Sequence, residues 1–281
     1  MKNVLITGCS TGIGYSAAVI LHKKGYNVIA TVRTDEDEQR IKELGIKCLQ
    51  LDLDNSDEIK LAFDKVIQQF DQQLDVLFNN AAYGQPGAVE DLSREVLRKQ
   101  FETNVFGTQE LTNLAIAHMR HQQTKGGRII YNSSVLGIIS MAYRGAYNAS
   151  KYALEGLADT LRQELTGSGI SISLIEPGPI ISQFRANAFK QYQNNINAEN
   201  SAHSITYKAM ERRLTKQGPS APFTLPPEAV VTKLLHAIES KRAKPRYYVT
   251  FPTYLCATLK RVLPHRALDW VLMKVSQGEQ R

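Results

Sequence analysis

Cysteine is scarce in this sequence: Cys9, Cys48 and Cys256 are three in 281 residues. They are too few and too widely separated for a disulfide framework. No apolar run is long enough to span a bilayer, and neither an internal repeat nor a low-complexity tract is visible. Met1-Lys2-Asn3 leads directly into the first strand-like run with no secretory segment before it, so a cytoplasmic protein is expected. Metal ligands are equally sparse. His118 and His121 would share a helix face three residues apart, but no third ligand accompanies them, and no metal site is expected. The formal charge is +7, yet the basic residues are scattered and no recognition motif accompanies them, so no nucleic acid partner is expected.

Tyr147 and Lys151 stand four residues apart in Tyr147-Asn148-Ala149-Ser150-Lys151, and helical spacing puts the phenol and the ammonium on one face. A phenol titrates near ~10, and a cation held close stabilises phenolate and brings the pKa toward the range of a working general acid or base. Taken alone, the pair also fits an ordinary amphipathic helix surface. Its context adds to it. The apolar run Val4-Leu5-Ile6 passes straight into Thr7-Gly8-Cys9-Ser10-Thr11-Gly12-Ile13-Gly14 and then into helix-like Tyr15 to Lys24. In this strand, glycine turn and helix, Gly8 permits the tight turn, Gly12 lets backbone approach a pyrophosphate, and Gly14 lets the helix pack on the strand. The unpaired N–H groups and positive dipole end then face phosphate. Cys9 is expected to fill space beside the bound group rather than to react.

The next apolar run, Tyr26 to Arg33, ends where a dinucleotide fold faces the adenosine ribose. An acid there hydrogen-bonds the free 2′-hydroxyl of NAD, whereas Arg33 attracts the 2′-phosphate of NADP. Thr31 and Val32 carry no carboxylate, although Asp35 follows closely, so NADP(H) is favoured over NAD(H). Ser133-Ser134 follow the strand-like Arg128 to Asn132, and Asn104 lies in Phe101-Glu102-Thr103-Asn104-Val105.

On Thr7 to Gly14, Asn79-Asn80-Ala81, Asn104, Ser134, Tyr147, Lys151 and Pro177-Gly178, the chain closely resembles the short-chain dehydrogenase/reductase family over roughly residues 1 to 185. Within it the chain resembles the bacterial aldehyde reductases of the retinol and 17β-hydroxysteroid dehydrogenase-like branch. The resemblance implies that Tyr147 exchanges a proton with the substrate oxygen while Ser134 hydrogen-bonds that oxygen. It further implies that Lys151 lowers the tyrosine pKa and holds the nicotinamide ribose, and that Asn104 helps a water chain reach Lys151. Chemistry agrees: hydride reaching a carbonyl carbon builds negative charge on oxygen, which positioned donors and a nearby cation stabilise. The implied cofactor contacts are Gly8, Ser10, Thr11, Gly12, Ile13 and Gly14 at the pyrophosphate, Arg33, Asp52 and Leu53 at the adenosine, and Asn80 and Ala81 near its ribose. Pro177, Gly178 and Ile180 fall on the nicotinamide side. Ala82 stands where the family usually has glycine, and Ser182 where it commonly has threonine.

Strand and helix patterns alternate from Val4 through Ile175, which predicts an α/β fold built on a single doubly wound parallel sheet, with Tyr247 to Thr250 as its last strand. One unit over residues 1–281 is expected: a cofactor-binding and catalytic core at 1–184, a substrate lid at 185–227, and C-terminal helices with the last strand at 228–281. The lid stretch reads as polar and irregular, and Phe184, Phe189, Tyr192, Tyr207 and Met210, with Leu136, Met141 and Tyr143, are candidates to line an apolar pocket. Tyr254 to Leu263 and Trp270-Val271-Leu272 mix apolar and basic residues at helical spacing, fitting packing on the domain, a dimer contact or a weak peripheral membrane contact. The expectation is an NADP(H)-dependent oxidoreductase acting on an apolar aldehyde, ketone or alcohol, and a homo-oligomer by family analogy. The alternatives are an NAD-dependent steroid or retinoid dehydrogenase and a non-catalytic dinucleotide sensor.

Overall fold

The computed structural model describes every residue except Gln217, Ser220, Gln280 and Arg281, and no side chain is described for 278–279. Ser220 of the turn run 218–222 and the last residues of the C-terminal stretch therefore lie outside the described residues. Elements alternate as β1 (Asn3–Ile6), α1 (Gly12–Lys23), β2 (Asn27–Val32), α2 (Asp35–Lys42), β3 (Lys47–Gln50), α3 (Ser56–Gln69) and β4 (Val76–Asn79). There follow α4 (Arg94–Phe101), α5 (Thr108–His121), β5 (Gly127–Asn132), α6 (Gly145–Glu164) and β6 (Ile170–Glu176). The chain ends with α7 (Phe184–Asn195), α8 (Ser204–Thr215), α9 (Glu228–Glu239), β7 (Arg246–Tyr248), α10 (Phe251–Val262) and α11 (His265–Glu279).

The strands form one parallel sheet in the order β3-β2-β1-β4-β5-β6-β7. Two-residue alternation sends successive side chains to opposite faces. On β1, Val4 and Ile6 enter a core shared with Ala17, Leu21, Val230 and Leu234, while Leu5 enters another with Phe63, Leu111 and Leu154. Both faces are therefore covered, which is why these short strands are continuously apolar rather than alternating with polar residues. Strand order reverses between β1 and β4, opening a crevice at the carboxyl ends of the strands where ligands bind in open α/β sheets.

Residues 185–227 depart from the irregular reading. They hold α7 and α8, because Ala188 and Tyr192, and then Tyr207, Met210 and Leu214, recur at helical spacing and bury against Ala88, Leu92 and Ala146. Their polarity sits on the outer faces. The excursion leaves and rejoins the body at one place, where Ile180 bridges Leu225 and the Leu225 N–H donates to the Pro179 carbonyl at 3.1 Å. Among the described residues no helix is long and apolar enough to cross a membrane.

Candidate active site

The turn after β1 is held by its neighbours. The Thr7 hydroxyl accepts from the backbone N–H groups of Asn80 and Ala81, both at 2.9 Å, and the Asn80 amide donates to the carbonyls of Thr7 and Gly8. Asn132 at the end of β5 donates to Asn80 Oδ1 at 2.9 Å, so three strand ends are laced together. Gly8 adopts φ +69°, and a Cβ there would fall 2.8 Å from Ala81 Cα. At Gly14 a Cβ would lie 2.2 Å from the Gly8 carbonyl oxygen, so only glycine lets α1 begin this close to β1. The resulting helix N-terminus, from Ser10 to Ile13, faces a cavity of about 1950 Å³. Cys9 points away into the core, where burial raises its thiol pKa, so it packs and does not react.

Tyr147 and Lys151 lie on one face of α6, with Nζ 5.6 Å from the phenol ring centroid. The ammonium does not reach the phenol oxygen; it donates to the Asn132 carbonyl at 2.8 Å. Lys151 is 2% exposed, and burial lowers its pKa to about 8, opposed by the Glu155 carboxylate one turn on. Burial pushes the Tyr147 phenol up to about 12, and a hydrogen bond with Ser134 draws it partly back. Desolvation is thus the larger influence on the phenol, and the Lys151 ammonium is directed at the Asn132 carbonyl. Ser134 faces Tyr147, whereas the neighbouring Ser133 hydroxyl turns back to Glu155. Asn104 stands in a π-helical turn, Glu102–Gly107, fully buried. Its amide clasps the Tyr83 backbone and donates to the Ser150 hydroxyl at 3.0 Å.

Of the site residues expected from sequence, Gly8, Ser10, Thr11, Gly12, Ile13, Arg33, Asp52, Leu53, Asn80, Ala81, Ser134, Tyr147, Lys151, Pro177, Gly178 and Ile180 all line this one cavity. Gly14 and Asn104 stand behind its wall. A family model described as short chain dehydrogenase matches residues 2–193. An uncharacterized oxidoreductase, YbbO, of Escherichia coli strain K12 is 43% identical over 272 residues, covering 96% of this chain and 94% of that protein. The chain belongs to the short-chain dehydrogenase family. An NADPH-dependent 3-dehydrocapnine reductase of Ornithobacterium rhinotracheale is 30% identical over 283 residues, 98% of this chain and 97% of the other. In fold it is similar to a Burkholderia phymatum short-chain dehydrogenase/reductase solved in complex with NAD, at a TM-score of 0.77 and 23% identity over 96% of this chain and 94% of that one.

Within this short-chain dehydrogenase the apolar pocket differs from the sequence reading. Phe184, Phe189, Leu136 and Met141 do line the cavity, and the Phe184 ring sits edge-on to Tyr147 with centroids 5.2 Å apart. Tyr192, Tyr207 and Met210 do not: each is at most 2% exposed in the core that seats α7 and α8. Tyr143 is also outside the cavity, bonded to His203 at 3.2 Å. The missing wall comes from α10 and α11, through Leu255, Leu259, Val271 and Leu272, which no local sequence signal ties to Tyr147. A second arginine was also missed. Arg40 of α2 hydrogen-bonds the Ser10 carbonyl and pairs with Asp37 at 2.6 Å, bringing a guanidinium to the glycine turn. Asp35, the acid that could have favoured NAD, is held by Gln50 and does not line the cavity, whereas Asp37, the partner of Arg40, does. Ala82 lines the cavity without disturbing the Thr7–Asn80 lacing, and Ser182 accepts from the Phe184 N–H at 3.4 Å as α7 starts.

Proposed function

We propose that the protein is an NADP(H)-dependent oxidoreductase that interconverts apolar aldehydes or ketones and their alcohols, with Tyr147 as general acid and base. One observation carries the reading: Ser134, Tyr147 and the buried Lys151 face one cavity that runs from the glycine turn to an apolar pocket. The residues fit a dinucleotide. The N-terminus of α1 and the bare backbone at Gly8 offer a phosphate cradle, and Asn132 Oδ1 is buried without a partner beside the Lys151 anchor. Arg33 and Arg40 at the end of β2 and on α2 suit a 2′-phosphate better than a free hydroxyl. Asp52, Leu53, Asn80 and Ala81 would hold the adenosine, and Pro177, Gly178 and Ile180 the nicotinamide side.

A bound nicotinamide supplies or accepts the hydride. The chain's own residues manage the oxygen. A phenol pushed to about 12 stays protonated at neutral pH, so Tyr147 is ready to donate its proton to a carbonyl oxygen that gains negative charge. Ser134 donates to the same oxygen and sets its position, and the Lys151 ammonium adds a positive field in a site of low polarity. Asn104, by holding the Tyr83 loop and the Ser150 hydroxyl, keeps α6 in register with that geometry. The reading carries with it a cytoplasmic homo-oligomer.

The test is loss of NADPH absorbance with a panel of apolar aldehydes and ketones, run beside NADH and beside Tyr147→Phe. Turnover with NADPH that drops by ~10²- to 10⁴-fold in the variant is expected. Preference for NADH would favour a steroid- or retinoid-type alcohol dehydrogenase, and NADPH binding without turnover would favour a sensor.

A further inference from the structure

The positive charge of this chain is not spread as its cations are. Residues 241–281 contain nine Lys and Arg against two Asp and Glu, so this stretch carries the whole formal +7, and the 240 residues before it are neutral. Four of these nine cations, Lys260, Arg261, Arg266 and Lys274, fall on α10 and α11 against Asp269 and Glu279, and the two helices pack side by side against Leu136 and Ile139 through Cys256, Leu259, Leu268 and Leu272. Their outer faces are apolar as well as basic. On α10, Phe251, Tyr254, Leu255 and Val262 recur at helical spacing and point to solvent, with Val262 71% exposed. On α11, Trp270 and Met273, one turn apart, are 59% and 54% exposed. Arg261, Arg266 and Lys274 stand among them, with the exposed acid Asp269 beside Trp270. A folded chain does not leave that many large apolar side chains together in water without a partner for them.

The patch is also the rim of the cavity. Phe251, Leu255 and Val275, with the Phe223 ring tilted against Phe251 at 5.0 Å between centroids, both line the cavity and stand exposed. We propose that the outer faces of α10 and α11 form a docking surface for an anionic lipid bilayer, which sets the cavity mouth at the boundary between headgroups and acyl chains. Apolar residues interleaved with arginine and lysine, including the only tryptophan of the chain, match such an interface in both polarity and charge. A second copy of this chain fits less well, because an isologous contact would set Arg261, Arg266 and Lys274 of one copy against the same cations of the other. Entry of an apolar substrate from the lipid rests on the function proposed above; the docking itself does not.

Trp270 provides a native reporter. The full-length protein is mixed with phosphatidylcholine vesicles with or without phosphatidylglycerol, at low and high salt, and read by co-sedimentation and by tryptophan emission. Expected is sedimentation with the anionic vesicles, a blue shift of Trp270, and weakening by salt. R261E/R266E/K274E should lose at least ~10-fold in vesicle affinity, and V262D/M273D should lose the binding, while both keep the wild-type melting profile. Protein that stays in the supernatant with anionic vesicles, or sediments without a Trp270 shift, overturns the proposal. So does vesicle binding untouched by either variant, or duplex DNA binding that displaces the vesicles without a shift of emission. A solution dimer abolished by V262D/M273D in a protein that ignores vesicles would instead assign the face to a second copy. Neither readout uses turnover, so a chain that binds vesicles and reduces nothing overturns only the proposed function.

Discussion

Burial draws the pKa of Lys151 down to about 8, with Glu155 opposing the fall, so the ammonium is present at neutral pH and is lost well below the ordinary lysine range. Its charge supports proton donation by Tyr147 and the developing oxyanion, so kcat/KM for carbonyl reduction should be flat through neutral pH and decline above about 8. A profile measured in both directions checks this; a reductive limb still flat near pH ~10 would remove Lys151 from the proton-transfer scheme. The effect on stability has the opposite trend. With a folded pKa below the unfolded value of 10.5, burying the charge costs stability below pH 8, and that cost fades as pH rises between the two values. At this scale the sequence spoke clearly about Tyr147, Lys151 and Ser134, whose spacing and order carry their meaning. Arg40 and Glu155 were silent, because a lone arginine or glutamate on a helix has no local signature until the fold sets it beside Ser10 or Lys151.

The close approach of α1 to β1 governs the phosphate end of the site. Gly14→Ala places a methyl 2.2 Å from the Gly8 carbonyl oxygen, so the helix must shift outward or the turn must open. Overpacking of this kind costs ~1–3 kcal/mol, and the displaced N-terminus should weaken NADPH binding at least ~10-fold, since the same N–H groups hold the phosphates. Urea unfolding and a calorimetric NADPH titration measure the two effects; an unchanged binding isotherm would mean the loop tolerates the shift. The elements up to β6 were legible because strand runs, glycine turns and helices alternate in the sequence. α7 and α8 were not. Their apolar residues are few, and Tyr192, Tyr207 and Met210 look the same in sequence whether they line a pocket or bury against Ala88 and Leu92.

Across the whole molecule, Arg246 joins β7 to α6 and β6. It pairs with Glu155, Glu176 and, at 2.6 Å, Asp159, and Glu176 is fully buried. Burial and the neighbouring Glu155 carboxylate raise the Glu176 carboxyl above its ordinary range while Arg246 pulls it back, so any stability gained by its protonation is present at low pH and lost as pH rises. Arg246→Gln leaves both buried carboxylates without their cation. It should destabilise the protein by ~3–5 kcal/mol at neutral pH, with part of the loss recovered near pH ~5, where the carboxyls protonate. Urea unfolding at the two pH values reads this out, and an equal loss at both would mean that packing, not charge, accounts for the effect.

The order of motifs from Thr7 to Gly178 was enough to establish the doubly wound sheet, its glycine turn and the Ser134, Tyr147 and Lys151 set, because each depends on residues close together in the chain or on periodicity. Folding alone determined which aromatics face the cavity, that α10 and α11 complete its wall, and that the phenol and the lysine are buried together. Those outcomes depend on burial and on contacts between segments more than a hundred residues apart, and neither is encoded in any local pattern.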